Sequence, residues 1–148
     1  RISANGAQIP ATAITNISTG GCFYDQSANT GSIYSVLSSQ GTDGGLTKLG
    51  AGTLQLSAVN VYTGTTAISA GTLRVLKKIS GTGTDANFNQ ANFTSNTLSV
   101  TFNSVPNVGD TYRMFPAATT NTYASVTLVG ATGRTGSYNS SNSTLTIA

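Results

Sequence analysis

The chain has no histidine, no tryptophan and no glutamate, and its 148 residues include one cysteine, one methionine and three prolines. Each absence removes a class of chemistry. Without histidine there is no Ser-His-Asp or Cys-His nucleophile pair and no His-ligated metal. Without glutamate, carboxylate chemistry falls to Asp25, Asp43, Asp85 and Asp110, which are scattered and mostly lie beside glycines or turn residues. A glycosidase needs two carboxylates roughly 5–10 Å apart, and a calcium site needs clustered acids. No Asp-x-Asp occurs, so these residues read as turn formers. The expectation is a protein with no catalytic residue, no metal and no cofactor. Cys22 stands alone, which excludes an intrachain disulfide and a zinc knuckle. It reads as a small buried apolar residue or as half of an intermolecular disulfide.

Charge is also scarce, at 7% of residues where soluble domains carry about a quarter. The net charge of +3 and pI near 9.3 reflect the shortage of acids rather than a basic surface. Arg74, Lys77 and Lys78 form the one basic cluster in the sequence. Nucleic-acid binding takes many phosphate contacts and stacking aromatics, so no nucleic-acid partner is expected. The lysines suit a strand edge that must not pair. No apolar run reaches the ~18 residues of a membrane-crossing helix. The first residue is Arg rather than Met, as expected of a mature or trimmed product.

What fills the space is Thr, Ser, Gly and Asn: 25, 18, 17 and 13 residues, about half the chain. Dense Gly and β-branched Thr oppose helix formation, and apolar residues recur with period two. Leu98, Val100 and Phe102 alternate, as do Tyr112 and Met114, Val126 and Leu128, and Leu145 and Ile147. Turn signals separate these runs, among them Asp43-Gly44, Asn107-Val108-Gly109-Asp110 and the stretch 130–136. The pattern predicts an all-β protein of short strands. Gly81-Thr82-Gly83-Thr84-Asp85 has a glycine-rich look but lacks the Lys-Ser/Thr ending of a phosphate loop. The six tyrosines are spread along the chain and read as half-buried strand residues rather than a sugar platform.

An internal repeat is visible. Ala51-Gly52-Thr53-Leu54-Gln55-Leu56 recurs nineteen residues later as Ala70-Gly71-Thr72-Leu73-Arg74-Val75. A period near 20 fits one rung of a parallel β-solenoid, with glycines at corners and apolar residues turned inward. The stretch 45–75, with Lys48, Gly50, Gly52, Leu54, Leu56, Asn60, Tyr62, Gly64, Gly71 and Leu73 as landmarks, resembles the autotransporter-associated β-strand repeat. Residues 108–147 are more weakly similar to the tail that follows such repeats. The resemblance implies a secreted bacterial surface protein with β-solenoid structure, located outside the cell or on its surface.

Two rungs cannot bury their own ends. Either the rest of the chain covers them, giving a capped coil or sandwich, or another subunit does, giving an end-to-end polymer. The sequence therefore suggests short parallel β-solenoid rungs with flanking antiparallel or sandwich-like strands in one domain over 20–148. Before it lies an N-terminal arm over 1–19. That arm carries an apolar stripe, with Ile9, Ala11, Ala13, Ile14 and Ile17 as candidate interface residues. It fits a first strand on its own domain or a strand donated to a neighbour. The function expected is a self-assembling subunit of an extracellular fibre or surface layer, its partners copies of itself. The alternative is an adhesin or glycan-binding module of a larger passenger protein, with surface polysaccharide as its partner.

Overall fold

The structure is a computed structural model. It describes the backbone of residues 2–3, 8–13, 15–25 and 28–148, and the side chains of these except at 2–3 and 23–25. Candidate interface residue Ile14 lies outside the described residues. The described chain is all-β, without a helix.

The first half runs in successive passes. Strands β1 (Ile2–Ser3), β4 (Cys22–Asp25), β7 (Leu46–Leu49) and β9 (Thr66–Ile68) form one sheet, all parallel. Strands β2 (Gln8–Ile9), β5 (Thr30–Ile33), β8 (Thr53–Leu56) and β10 (Thr72–Val75) lie side by side in a second, again parallel. A third pair, β3 (Thr15–Ile17) and β6 (Leu37–Ser39), is parallel too. Each of the four passes thus gives one strand to each of the first two ladders, and the first two passes also give one to the third. The sequence repeat corresponds to β7–β8 and β9–β10, and residues 2–39 add two earlier passes without its landmarks.

These pairings include described residues of the stretch 1–19. Where the sequence left open an extended arm, the described residues sit in the ladders of their own chain. Gln8–Ile9 pair with Ser32–Ile33, and Thr15–Ile17 with Leu37–Ser39. Ile17 is only 2% exposed and Ile9 packs against the core. Burying these isoleucines on their own domain removes apolar surface from water, about 1.5–3 kcal/mol per large side chain when complete.

Residues 76–148 leave the parallel pattern. After the short β11 (Ser80–Gly81), β12 (Phe88–Phe93) pairs antiparallel with β10, and β13 (Thr97–Phe102) antiparallel with β12. β15 (Ser125–Val129) then adds in parallel to β13. The second sheet thereby reaches seven strands, ordered β15-β13-β12-β10-β8-β5-β2. A further sheet of β11, β14 (Thr111–Arg113), β17 (Thr144–Ile147) and β16 (Gly136–Asn139) completes this half.

The register of the seven-stranded sheet is continuous across the junction. One apolar row runs Ile33, Leu56, Val75, Ala91, Val100, Leu128, and its neighbour runs Leu54, Leu73, Phe93, Leu98, Val126. The row between them is polar: Ser32, Gln55, Arg74, Asn92, Ser99, Thr127. Alternation along each strand sends the two kinds of row to opposite faces. Aromatic residues fill the C-terminal half, with Phe93 in ring contact with Phe115, Tyr123 and Tyr138. Phe102 packs likewise on Phe88 and Tyr112.

Candidate functional site

The features that set this chain apart are the polar ties between passes and the two ends of the ladders. The ties sit at corners, where the backbone leaves one sheet for the next. Asp43 is 7% exposed. One carboxylate oxygen accepts from the Gly45 and Gly64 amides at 2.9 and 2.6 Å, and the other from the Thr63 amide and hydroxyl at 2.6 and 2.9 Å. Burial pushes its pKa up, but these hydrogen bonds to the charged form outweigh it and hold the carboxyl below its ordinary 3.8. The corner also needs glycine. Gly45 has φ +78°, and a Cβ there would sit 1.9 Å from the Thr65 carbonyl oxygen of the next pass.

Lys48 is fully buried, at 0% exposure. Its Nζ donates to the carbonyls of Leu49, Gly50 and Ala70, the last at 3.3 Å and one pass further on. Asn60 joins the preceding pair of passes. Its Oδ1 accepts from the Leu37 amide at 2.9 Å, while its Nδ2 donates to Ala58 at 3.2 Å. Tyr62 is buried, 2.6 Å from the Thr66 hydroxyl, and burial raises its pKa well above the ordinary tyrosine range. The repeat landmarks thus divide by task. Leu54, Leu56 and Leu73 are core, Gly50 and Gly71 take positive φ at corners, and Lys48 and Asn60 satisfy backbone groups between passes. Gly64 packs a Cβ-free surface against Gly45, and Gly52 lends its carbonyl oxygen to the Thr72 amide.

The two ends differ. At β9 the chain segment 118–121 closes the edge. The Thr66 amide donates to Ala118, and the Thr120 amide returns a bond to Thr66, both at 2.9 Å. The side chain of Asn121 then acts as a strand would, accepting from the Ile68 amide at 2.7 Å and donating to the Ile68 carbonyl at 2.8 Å. β10 is covered by β12. At the opposite end β1, β2 and β3 each hold one ladder partner among the described residues. The seven-stranded sheet ends there in β2 and, on its other side, in β15.

The candidate interface residues fall in different environments. Ile17 is core and Ile9 half-buried, whereas Ala11 and Ala13 lie in the turn between β2 and β3, closed by the Ala13 amide on Pro10. Sequence reasoning passed over Asp43 and Asn121. An Asp beside Gly-Gly is an ordinary turn signal, and the signal that it ties two passes is the Thr63-Gly64 pair lying one repeat later.

The other described carboxylates are engaged locally. Asp85 is 3.0 Å from Lys78, and Asp110 accepts from the Asn107 amide and the Tyr112 hydroxyl. Cys22 is half-buried, and desolvation raises its thiol pKa. A depression of about 100 Å³ lies between Val59, Leu76, Lys77, Lys78, Asp85 and Phe88. Among the described residues no group of three or more His, Cys, Asp or Glu could hold a metal, and no helix is long and apolar enough to cross a membrane.

A fold of stacked parallel strands with corner ties is the setting in which the comparison with known families falls. Residues 46–75, from β7 to the end of β10, match the model of the Passenger-associated-transport-repeat. This is the repeat that Lys48, Asn60, Tyr62 and the corner glycines resemble. It is associated with bacterial passenger proteins and implies a secreted or surface location. No curated protein and no solved structure matches the chain.

Proposed function

We propose that the chain is a structural module of a secreted bacterial surface protein, a short parallel β-solenoid stack closed by a β-sandwich, whose copies join through open sheet edges into a fibre or layer. The observation that carries the reading is the asymmetry of the ends. Segment 118–121 and β12 satisfy the backbone at β9 and β10, while among the described residues β2 and β15 close the sheet with one partner each. An unpaired edge carries a row of donors and acceptors that another strand can take up. Low charge lowers the electrostatic cost of bringing copies together.

The alternative, a polysaccharide-binding module, draws less support. A sugar platform takes two or three aromatic rings on one exposed face, yet Tyr62 and Tyr112 are buried and Tyr123 and Tyr138 pack against the core. Tyr34, at 41% exposure, is the one large exposed aromatic among the described residues. Electron microscopy and light scattering on concentrated protein test the reading. Filaments, layers or discrete oligomers are expected. Particles of the 15.0 kDa chain mass at every concentration, with measurable binding to a surface polysaccharide, would favour the alternative.

A further inference from the structure

The two edges of the seven-stranded sheet are defended differently. β2 is two residues long and is followed at once by Pro10, which has no amide to offer. β15 is Ser-Val-Thr-Leu-Val, five residues paired with β13 without a register shift. It has no Lys, no Pro and no bulge, the usual devices against edge pairing. Residues 114–133 around it carry no charged side chain. A long, regular, uncharged edge is a surface built to be paired.

The phase of that edge is fixed. The Thr94 amide donates to the Thr97 carbonyl at 3.0 Å, so Thr97, Ser99 and Thr101 turn their backbone groups to β12, and Leu98 and Val100 turn theirs to β15. Along a strand the backbone groups point alternately to the two sides. In the parallel register Leu98–Val126 and Val100–Leu128, those of Ser125, Thr127 and Val129 therefore bond to β13, and those of Val126 and Leu128 face outward. The side chains of Ser125, Thr127 and Val129 are exposed, while those of Val126 and Leu128 are half-buried against the core.

We propose that β15 is a self-association site where two copies pair antiparallel about a two-fold axis through Thr127. The pattern is its own complement. Thr127 meets Thr127 of the second copy, Ser125 meets Val129, and Val126 meets Leu128, so apolar residues face apolar residues on the core side. The outward-pointing Val126 and Leu128 of each strand become the hydrogen-bonded pairs of an antiparallel ladder, about four N–H···O bonds in all, and Thr127 meets its copy as a non-hydrogen-bonded pair. Thr–Thr pairs directly opposite are favourable, and the same patch serves both copies, as a two-fold interface requires. No like charges meet at the axis. The inference rests on the reading that copies join through sheet edges, and it names the edge and the register.

Two variants test it. Thr127→Lys places two ammonium groups opposite each other at the axis. Thr127→Cys, made with Cys22→Ser, places two thiols across a non-hydrogen-bonded pair whose Cα atoms lie about 4.5 Å apart, within disulfide range. The expected results are a light-scattering mass of twice 15.0 kDa or a multiple of it for the parent chain, and at least about tenfold weaker association for Thr127→Lys with an unchanged circular dichroism spectrum. The cysteine variant should form a covalent dimer on a non-reducing gel. Association that survives Thr127→Lys, with no cross-link from Thr127→Cys, overturns this site and leaves edge-joining in general standing. A parent chain that stays monomeric at all concentrations overturns both.

Discussion

The two halves of the molecule share one seven-stranded sheet but solve the same problem differently. In residues 2–75 the strands are short and parallel, and each corner leaves backbone groups without strand partners. Polar side chains fill those gaps: Asp43, Lys48 and Asn60 each bridge two passes. In residues 76–148 the strands other than β15 pair antiparallel, and aromatic rings packed edge-on or tilted against Phe93 and Phe102 supply the packing. The lesson is that a parallel stack is held pass to pass by hydrogen bonds at its corners. Its closure needs a region that can bury large side chains and also present polar groups to the last open strand. Asn121 does the latter, and its neighbour Tyr123 the former.

The largest predicted effect falls on the aromatic half. Phe93 is fully buried and touches three rings, so Phe93→Ala should cost about 3–5 kcal/mol. Because its row continues through Leu73 and Leu54, a chemical denaturation curve should stay a single transition. A biphasic curve would show that the halves unfold separately.

Next comes the corner tie. Asp43→Ala leaves three amides without their acceptor and should cost about 2–3 kcal/mol. The pH dependence follows from the lowered pKa of Asp43. A depressed carboxyl contributes stability that is fully present above its unfolded value, near 3.8, and is lost as pH falls through the folded one. Thermal melts of the parent chain should therefore be flat through the Asp43 contribution above about pH 5 and fall below about pH 4, and Asp43→Asn should flatten that acid limb. An unchanged acid limb would contradict the assignment.

Smaller again is Asn121→Ala, which removes both bonds to Ile68 and should cost about 1–2 kcal/mol. The loss should appear first as faster hydrogen exchange at Ile68. The least effect is expected from Arg74→Ala. Arg74 reaches Asn92 at 3.0 Å across the β10–β12 junction on the polar face, and its loss should fall within about 0.5 kcal/mol. A larger loss would mean that surface contacts, and not the apolar rows, join the halves.

Much of this was legible in the sequence. Period-two alternation marks Leu98, Val100, Phe102, Tyr112, Met114, Leu145 and Ile147, all buried. Val126 and Leu128 alternate equally well yet are half-buried, because their strand is an edge. The repeat at 45–75 marks two passes. The two earlier passes escaped because their corners lack its glycine spacing, while backbone pairing, which any residue can make, still sets their register. β12 escaped for a different reason. A register shift between Phe88 and Gln90 breaks the alternation, so Phe88, Ala91 and Phe93 do not read as one face in the sequence. Closure by segment 118–121 was invisible, since an asparagine that replaces a strand looks like any other loop asparagine.

The central claim is that the C-terminal half closes the parallel ladders as part of one body. Residue-resolved amide exchange at Thr66 and Ile68 tests it most directly, since these strand-end amides are held only by Ala118 and Asn121. The account predicts protection at both comparable to that of Leu54 and Leu73 inside the sheet, and its loss at Ile68 alone in Asn121→Ala. Exchange at Thr66 and Ile68 as fast as at an open edge, in the parent chain, would contradict it.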